Sequence, residues 1–460
     1  MKILLVSPTI DTSYEFAPPL GLMNLYLIAK ELGHDVELLD LSLEPYKKGI
    51  AKILSKQYDI IGVTCNFTNA IPFCLRYAKD IKQKYPNTML VSGGNHATLL
   101  PEDLLFNEYD YIIASEGELT FKEFLQRLSD KKTVKDIDGI YYVNDKKVVR
   151  NKPRELIKDL DTLPLNDYSE FDLDPYFKTA KMHYMNIETS RGCLYNCAFC
   201  TTTKMWRHKF RIKSPKRVLK EFKIAKKKGC DFIWFVDDDT AIDEQNLRSL
   251  CKLLIKENMN IPWGTTLGSQ SIKDESTYTL MKKSGCIKVN VCIESANTRI
   301  LKEYRKPYTI EDNRRTCANL RKSGILLHNH GIIGLPGETF HETLNTYIHL
   351  IKTSPIWHIS ILEPRPGNDY WKKWSKKGDT SQYGRFGKAN VILSKTKTIN
   401  YLIYRLFALY YFLNPRRIWN AFFHKNKVVR YNYWIQYYVA YKTLKVNFMD
   451  FFRNIQKMIT

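Results

Sequence analysis

Short apolar runs alternate with helix-spaced segments twice along this chain, and this double alternation constrains the fold more than any other feature. In the first series KILLV (2–6), DVELLD (35–40), DIIGVT (59–64), TMLVSG (88–93) and DYIIAS (110–115) have the length and apolar density of strands. PLGLMNLYLIAKEL (19–32) has helical spacing and stops at Gly33, a good C-cap, and a second helical pattern over 69–84 ends before Pro86. Buried strands joined through helices imply a parallel, doubly wound Rossmann-like sheet. IYYVNDKKVV (140–149) reads as a hairpin turning at Asn144-Asp145, and 151–182, rich in Asp, Pro and Tyr, as a connector.

The second series places strands at 183–188, 232–236, 262–266, 288–294, 326–333 and 358–362. Helices fit between them at 214–228, 243–257, 274–284, 310–323 and 338–352. Six strand–helix units predict an open (β/α)6 barrel, three-quarters of a full one, with chemistry at the carboxyl ends of its strands. The expected organisation is therefore a Rossmann-like domain (1–150), the connector (151–182), a partial barrel (183–375) and a helical, basic, aromatic-rich region (376–460).

TSRGCLYNCAFCTTTK (189–204) follows the first barrel strand and carries Cys193, Cys197 and Cys200. A structural zinc site wants four protein ligands, usually from paired Cys-x-x-Cys units, and no second pair is present. Cuboidal iron–sulfur clusters take one thiolate per iron, so three cysteines leave one iron open. Cys65, Cys74, Cys230, Cys251, Cys286, Cys292 and Cys317 show no pairing pattern and read as small buried hydrophobes of a reducing compartment.

CxxxCxxC with Phe199 before its last cysteine resembles the signature of the radical S-adenosylmethionine superfamily. The resemblance implies a 4Fe-4S cluster on Cys193, Cys197 and Cys200 whose open iron is chelated by S-adenosylmethionine (SAM), which is then cleaved to a 5′-deoxyadenosyl radical. Later segments match in order. FIWFVDDDT (232–240) places Asp237, Asp238 and Asp239 where relatives contact the methionine amino group. VCIESAN (291–297) makes Glu294 and Ser295 candidates for the ribose and carboxylate, and HGIIGLPGET (330–339) sets Gly334 against adenine. EPRPGNDYW (363–371) resembles the exit of the sixth strand. The arginine that relatives often carry after the third strand is replaced by TTLGSQS (265–271). Phe199, Asp237, Asp238, Glu294, Ser295 and Gly334 are the expected SAM-binding residues.

PPLGLMNLYLIAKELGHDVELLDL, VSGGNHATLLPEDL and ASEGELTF resemble the cobalamin-binding class of this superfamily, and the combined resemblance covers roughly residues 1–370. It implies cobalamin at the strand ends of the first domain, near Thr64, Thr68, Gly93, Gly94, His96, Glu116 and Gly117. The DxHxxG lower-ligand motif is absent, and GGNHAT is expected to shape its loop. The activity implied is methyl transfer to an unactivated carbon, with an electron donor protein such as flavodoxin or ferredoxin as partner. The alternatives are a non-methylating radical cyclisation or rearrangement, a transfer-RNA methylthiotransferase and a non-enzymatic corrinoid- or cluster-binding sensor. The methylthiotransferase reading needs more cysteines in the first domain than Cys65 and Cys74.

Charge bears on partners. The chain has a formal net charge of +23, and residues 376–460 hold sixteen Lys and Arg against two Asp and Glu. YLIYRLFALYYFLNPRR (401–417) is nearly all apolar, too short to span a bilayer but suited to an interfacial or buried helix. Two readings are compatible: a cap packed on the barrel, and contact with an anionic membrane surface that admits a lipid-like substrate. Nucleic acid is not the expected partner. MKILLVSP reads as a strand and not as a leader, and no run of about eighteen apolar residues occurs, so a cytoplasmic protein, peripheral to the inner face of the membrane, is expected.

Overall fold

The computed structural model describes residues 1–8, 18–42, 44–165, 167–180 and 182–375, and in the tail 406, 409–410, 413–425, 429–431 and 433–434. These form two units. The first is Met1–Phe171 with Cys200–Arg211 and a stretch beginning at Pro364. The second holds Asp172–Phe199, Ile212–Glu363 and the described tail residues. Their boundary at Phe171 falls inside the stretch read as a connector.

In the first unit β1 (Lys2–Ser7), β2 (Asp35–Asp40), β3 (Ile60–Thr64), β4 (Met89–Gly93) and β5 (Tyr111–Ile113) are parallel in the order β2-β1-β3-β4-β5. The antiparallel pair β6 (Ile140–Asn144) and β7 (Lys147–Arg150) extends the β5 edge. Strand side chains alternate between two cores. Leu4, Val6, Ile61, Val63, Leu90 and Ile112 enter one, and Ile3, Leu5, Ile60, Val91 and Ile113 enter the other. Burial on both faces is why these strands read as continuous apolar runs. The order reverses between β1 and β3, which puts a ligand crevice at the carboxyl ends of these strands.

The hairpin turns one residue later than expected. Asn144 pairs with Lys147, and Asp145 and Lys146 form the turn with φ of 47° and 60°. Both central residues have positive φ, as a type I′ turn requires, and Asn144 stays in the ladder.

The second unit is a six-stranded parallel sheet whose spatial order follows the sequence: β8 (Tyr184–Ile187), β9 (Phe232–Phe235), β10 (Trp263–Leu267), β11 (Cys286–Glu294), β12 (Leu326–Ile333) and β13 (Ile356–Ile361). This is the expected (β/α)6 arrangement, with β11 and β13 each starting two residues early. Outward residues such as Val289, Val291 and Leu327 are fully buried under helices. Side-chain caps at Ser214, Asp243, Thr309 and Thr339 start four of those helices. The last two form reciprocal capping boxes with Asp312 and Glu342.

The described tail closes the amino-terminal end of this barrel. Asn414 caps the helix Pro415–Phe423, and Arg417 donates to the Pro355 carbonyl at 3.1 Å with its guanidinium over the Trp357 ring. Ala421, Tyr433, Val429 and Trp434 pack with Leu326 and Ile356, and Tyr431 packs with Tyr184, Phe232, Trp234 and Ile287. Apart from Trp234, the strand residues among these lie at or next to the starts of their strands. No helix among the described residues is long and apolar enough to cross a membrane. Most of 376–412 and all of 435–460 lie outside the described residues.

Candidate active site

The three-cysteine loop leaves the end of β8 and is anchored at its base by Asp237. That carboxylate accepts from the Thr189 amide at 2.7 Å, the Ser190 amide at 3.1 Å and the Thr189 hydroxyl. Burial raises the Asp237 carboxyl to about 6 in spite of these donors. Cys193 and Cys200 are half-buried, Cys197 is buried, and none of the three forms a disulfide among the described residues. The Ala198 amide donates to the Tyr304 carbonyl at 3.0 Å, and Phe199 sets its edge on the Tyr304 ring. Cys193 and Cys197 belong to the second unit, while Cys200 opens the stretch that belongs to the first.

Across the strand ends stands a charge pair that the sequence did not reveal. Glu294 ends β11 at φ +61°, where the register with β12 shifts, and Lys306 reaches it at 2.9 Å. A non-glycine residue in this region is strained, and such strain clusters at functional sites. The Lys306 ammonium lies over the rings of Phe199 and Tyr308. Burial alone would discharge Lys306, but Glu294, then Tyr308 and Cys197, outweigh it and hold it charged well above the usual range. Lys306 lies beyond a whole helix from Glu294, so no local spacing marks it.

Three further groups complete this rim. Asp239 accepts from the Ser271 hydroxyl at 2.5 Å, and burial raises its carboxyl to about 6. A Cβ at Gly268 would lie 2.6 Å from an Asp239 oxygen and 2.8 Å from the Ser271 hydroxyl, so a larger residue there would push these side chains aside. The Gln270 amide is buried beside the Tyr195 hydroxyl. Gln270 and Ser271 thus occupy the place where an arginine was expected. Gly334, at φ +91°, donates with Leu335 to the Glu338 carboxylate, and burial raises that carboxyl to about 7.

The expected SAM residues fall into two groups. Phe199, Glu294 and Gly334 lie at the strand-end rim. Asp237 is committed to the loop base and Asp238 is exposed. Ser295 is fully buried, its hydroxyl shared with Thr346 and Asn297.

In the first unit the loops after β3, β4 and β5 are tied together. His96 contacts the Thr68 hydroxyl through Nδ1 at 3.1 Å and Asp103 through Nε2 at 2.9 Å. Both ring nitrogens thus have protein partners, which suits loop shaping; coordination to cobalt would displace one of them. Thr98 donates to the Gly94 carbonyl and accepts from the Ser115 amide. Gly93 ends β4, and a Cβ there would sit 3.1 Å from the Ile113 carbonyl. Gly94 has φ +100°, and its Cβ would meet Asn66 Oδ1 at 2.3 Å. Thr64 ends β3, and Gly117 starts the helix Gly117–Ser129. Glu116 faces elsewhere: its oxygens accept from the Ile157 amide and from Arg211, each at 2.7 Å.

The donor chemistry fits the implied groups. Three thiols outside any disulfide, in one eight-residue segment, suit an iron–sulfur cluster. The Gln270 amide and the strained Glu294 offer polar contacts to a zwitterionic ligand. On the first unit, the Ser115 hydroxyl and two guanidinium nitrogens of Arg211 are buried without hydrogen-bond partners among the described residues. The Ser115 hydroxyl, on the loop after β5, suits a polar group of a corrinoid, while Arg211 is engaged with Glu116 and the Ile157 carbonyl.

Comparison with known proteins agrees. Residues 187–350 match the Radical SAM superfamily and residues 6–125 match the B12 binding domain. An uncharacterized methyltransferase of Pyrococcus horikoshii, PH0819, is 33% identical over 385 residues, covering 81% of this chain and 83% of that protein. Hopanoid C-3 methylase of Methylococcus capsulatus is 24% identical over 383 residues, covering 82% of this chain and 72% of that protein. The solved structure of the radical SAM methyltransferase TsrM from Kitasatospora setae superimposes with a TM-score of 0.70 at 18% identity, over 80% of this chain and 75% of that one. The methyltransferase at 33% identity favours that reading over the cyclase, methylthiotransferase and sensor alternatives; anaerobic magnesium-protoporphyrin IX monomethyl ester cyclase of Rubrivivax gelatinosus is also similar, at 27% identity over 74% of this chain and 63% of that protein. The chain belongs to the cobalamin-dependent radical SAM methyltransferase family, whose cofactors are a 4Fe-4S cluster, SAM and cobalamin.

Proposed function

We propose that the protein transfers a methyl group to an unactivated carbon of a hydrophobic, lipid-like substrate, working at the inner face of a membrane. Cys193, Cys197 and Cys200 would hold the cluster, and the loops at Thr64, Thr68, Gly93 to His96 and Ser115 to Gly117 would hold the corrinoid. When bound, the cluster and SAM supply radical chemistry and the corrinoid carries the methyl group.

The chain's own residues position and shield these groups. Asp237 fixes the base of the cysteine loop, so that the thiols are presented from a rigid stem. Lys306 pairs with Glu294 in a buried setting and sets a cation beside Phe199. Glu338 folds the Gly334–Leu335 backbone into a tight turn at the rim. Phe199, Tyr304 and Tyr308 surround this rim with apolar surface that excludes water.

The observation that carries the reading is one chain with a three-thiol loop on a partial barrel and the unpartnered Ser115 hydroxyl at a strand end of a B12-type sheet, akin over four-fifths of its length to a methyltransferase. A lipid-like substrate draws support from the hopanoid methylase relative and from the tail helix, whose outward face exposes Trp419, Phe422 and Phe423. A flavodoxin- or ferredoxin-like donor would deliver electrons.

The test is anaerobic reconstitution with iron, sulfide and hydroxocobalamin, followed by incubation with methyl-deuterated SAM, a reductant and lipid extract. Label appearing in a lipid supports the reading. Release of 5′-deoxyadenosine with an altered but unlabelled lipid would overturn methyl transfer in favour of radical rearrangement. Labelled polar product with unlabelled lipid would overturn the substrate class.

A further inference from the structure

The inner wall of the barrel carries a polar cluster separate from the candidate site residues described above. Inward side chains alternate along the strands, so β11 turns Lys288 and Asn290 inward, β12 turns His328 and His330, and β13 turns His358. Register aligns them: Asn290 pairs with His328, Cys292 with His330, and His330 with His358. The His328 and His330 ring centroids are 4.2 Å apart, and those of His330 and His358 are 5.8 Å apart. Lys288 is buried with its ammonium 5.1 Å from the Trp234 ring.

His328 is only 3% exposed, yet neither of its ring nitrogens has a hydrogen-bond partner among the described residues. The same holds for His330 Nε2 and Asn290 Oδ1. A buried polar atom without a partner costs stability, so several converging on one wall need an account. Burial, then neighbouring positive groups, drives the histidines to low pKa: His330 to about 3, His328 well down, with His358 falling to about 4 by burial alone. Burial likewise lowers Lys288 to about 7. The charges that His328 and His330 feel come from Lys288 and other histidines, all of one sign. Tyr431 and Tyr184 pack with Trp234, the ring beside Lys288.

We propose that this wall binds an oxyanion group of the substrate, a carboxylate or a phosphate, through His328, His330 and His358 with Lys288 as the charge partner. A metal ion is the poorer occupant: Lys288 opposes it, and among the described residues no three ligands converge on a common point. The strand geometry also fixes a length. His330 lies two residues and His328 four residues below Glu294 in register, so the anionic group sits ~7–13 Å beneath the rim. The inference rests on the enzymatic reading and deepens it: the substrate is an amphiphile, with its reacting carbon that far from its anionic end.

The test titrates inorganic phosphate and acetate separately into the anaerobically reconstituted full-length enzyme, by calorimetry at pH 7 in two buffers of different ionisation heat. The expected result is binding of at least one anion with net proton uptake. Preference for acetate assigns a carboxylate, and preference for phosphate a phosphate. His328→Asn should weaken binding more than tenfold and abolish the uptake. His358→Asn, on a separate and less buried position, should act in the same direction and decides the matter where His328→Asn misfolds by circular dichroism. No binding to the wild type overturns the proposal, as does binding unaltered in both variants. Stoichiometric zinc binding by the cluster-loaded wild type, lost in His358→Asn, would overturn it in favour of a metal site. Release of 5′-deoxyadenosine by the wild type is measured in parallel. Cleavage without anion binding removes the anion site alone, and anion binding without cleavage removes the enzymatic reading alone.

Discussion

Glu294 and Lys306 form an ion pair of 2.9 Å whose side chains are 6% and 9% exposed, at a backbone position held at φ +61°. A pair this deep has surrendered its hydration, so removing one partner leaves an uncompensated charge. Lys306→Met should cost about 3–5 kcal/mol in urea unfolding and abolish SAM cleavage. Adding Glu294→Gln to that variant should restore most of the stability and none of the cleavage. Equal stability of Lys306→Met and wild type would mean that the pair is not buried in solution.

Cys197 is the most buried of the three loop thiols and follows directly from the loop that Asp237 anchors. Cys197→Ala should reduce cluster iron to background after reconstitution and lower 5′-deoxyadenosine release at least a hundredfold. Hydroxocobalamin binding should persist, because its loops belong to the other unit. Retention of a full cluster in this variant would send the ligand assignment elsewhere.

What the sequence shows and hides follows from the range of the interactions. Strands buried on both faces, such as Ile60–Thr64, are legible because every residue must be apolar or small. The three cysteines are legible because their ligand spacing is local. Lys306, Glu338 and Arg211 are not, because each acts through a partner set by tertiary structure. The hairpin turn was displaced by one residue because Asn144-Asp145 has the stronger turn composition, while pairing with Lys147 keeps Asn144 in the strand. The inward histidines show the two-residue period of a strand, yet their meeting with His358 depends on the register between β12 and β13.

Gly94 and Gly117 offer a paired test of the first unit. Gly94 has φ +100°, and its Cβ would approach Asn66 Oδ1 at 2.3 Å and backbone atoms of Cys65 and Asn66 at 3.0 Å. Gly94→Ala should therefore cost about 1–3 kcal/mol and weaken corrinoid binding, since the clash is with backbone as well as a movable side chain. Around Gly117 the nearest atom to a Cβ is at 3.6 Å, ordinary contact. Gly117→Ala should change stability by less than about 0.5 kcal/mol. Thermal melts and hydroxocobalamin titration distinguish the two, and equal effects would refute the loop geometry.

The tail helix separates docking from packing on two faces. Arg417 and Ala421 face the barrel, while Trp419 and Phe423 are 63% and 61% exposed. The triple variant Trp419→Ser, Phe422→Ser, Phe423→Ser should bind anionic phosphatidylglycerol vesicles at least tenfold more weakly, with an unchanged melting temperature. Binding by the wild type should fall with salt, since basic residues add to apolar insertion. Wild-type protein that ignores such vesicles in flotation would remove the membrane from the proposed function.

Glu338 gives a pH dependence whose sign is fixed by burial. Its carboxyl is raised from 4.5 to about 7, so the folded state holds the proton more tightly than the unfolded chain. Unfolding then releases a proton across that window, and stability falls as pH rises from 4.5 to about 7. The full loss is about 3 kcal/mol, reached above the folded-state pKa. Glu338→Gln keeps an oxygen to accept from the Gly334 and Leu335 amides but removes the titration. The variant should therefore match the wild type near pH 4.5 and exceed its stability above pH 7. Urea unfolding at a series of pH values gives the difference curve. A difference independent of pH would show that Glu338 is hydrated in solution, and the turn it closes at the rim would have to be open.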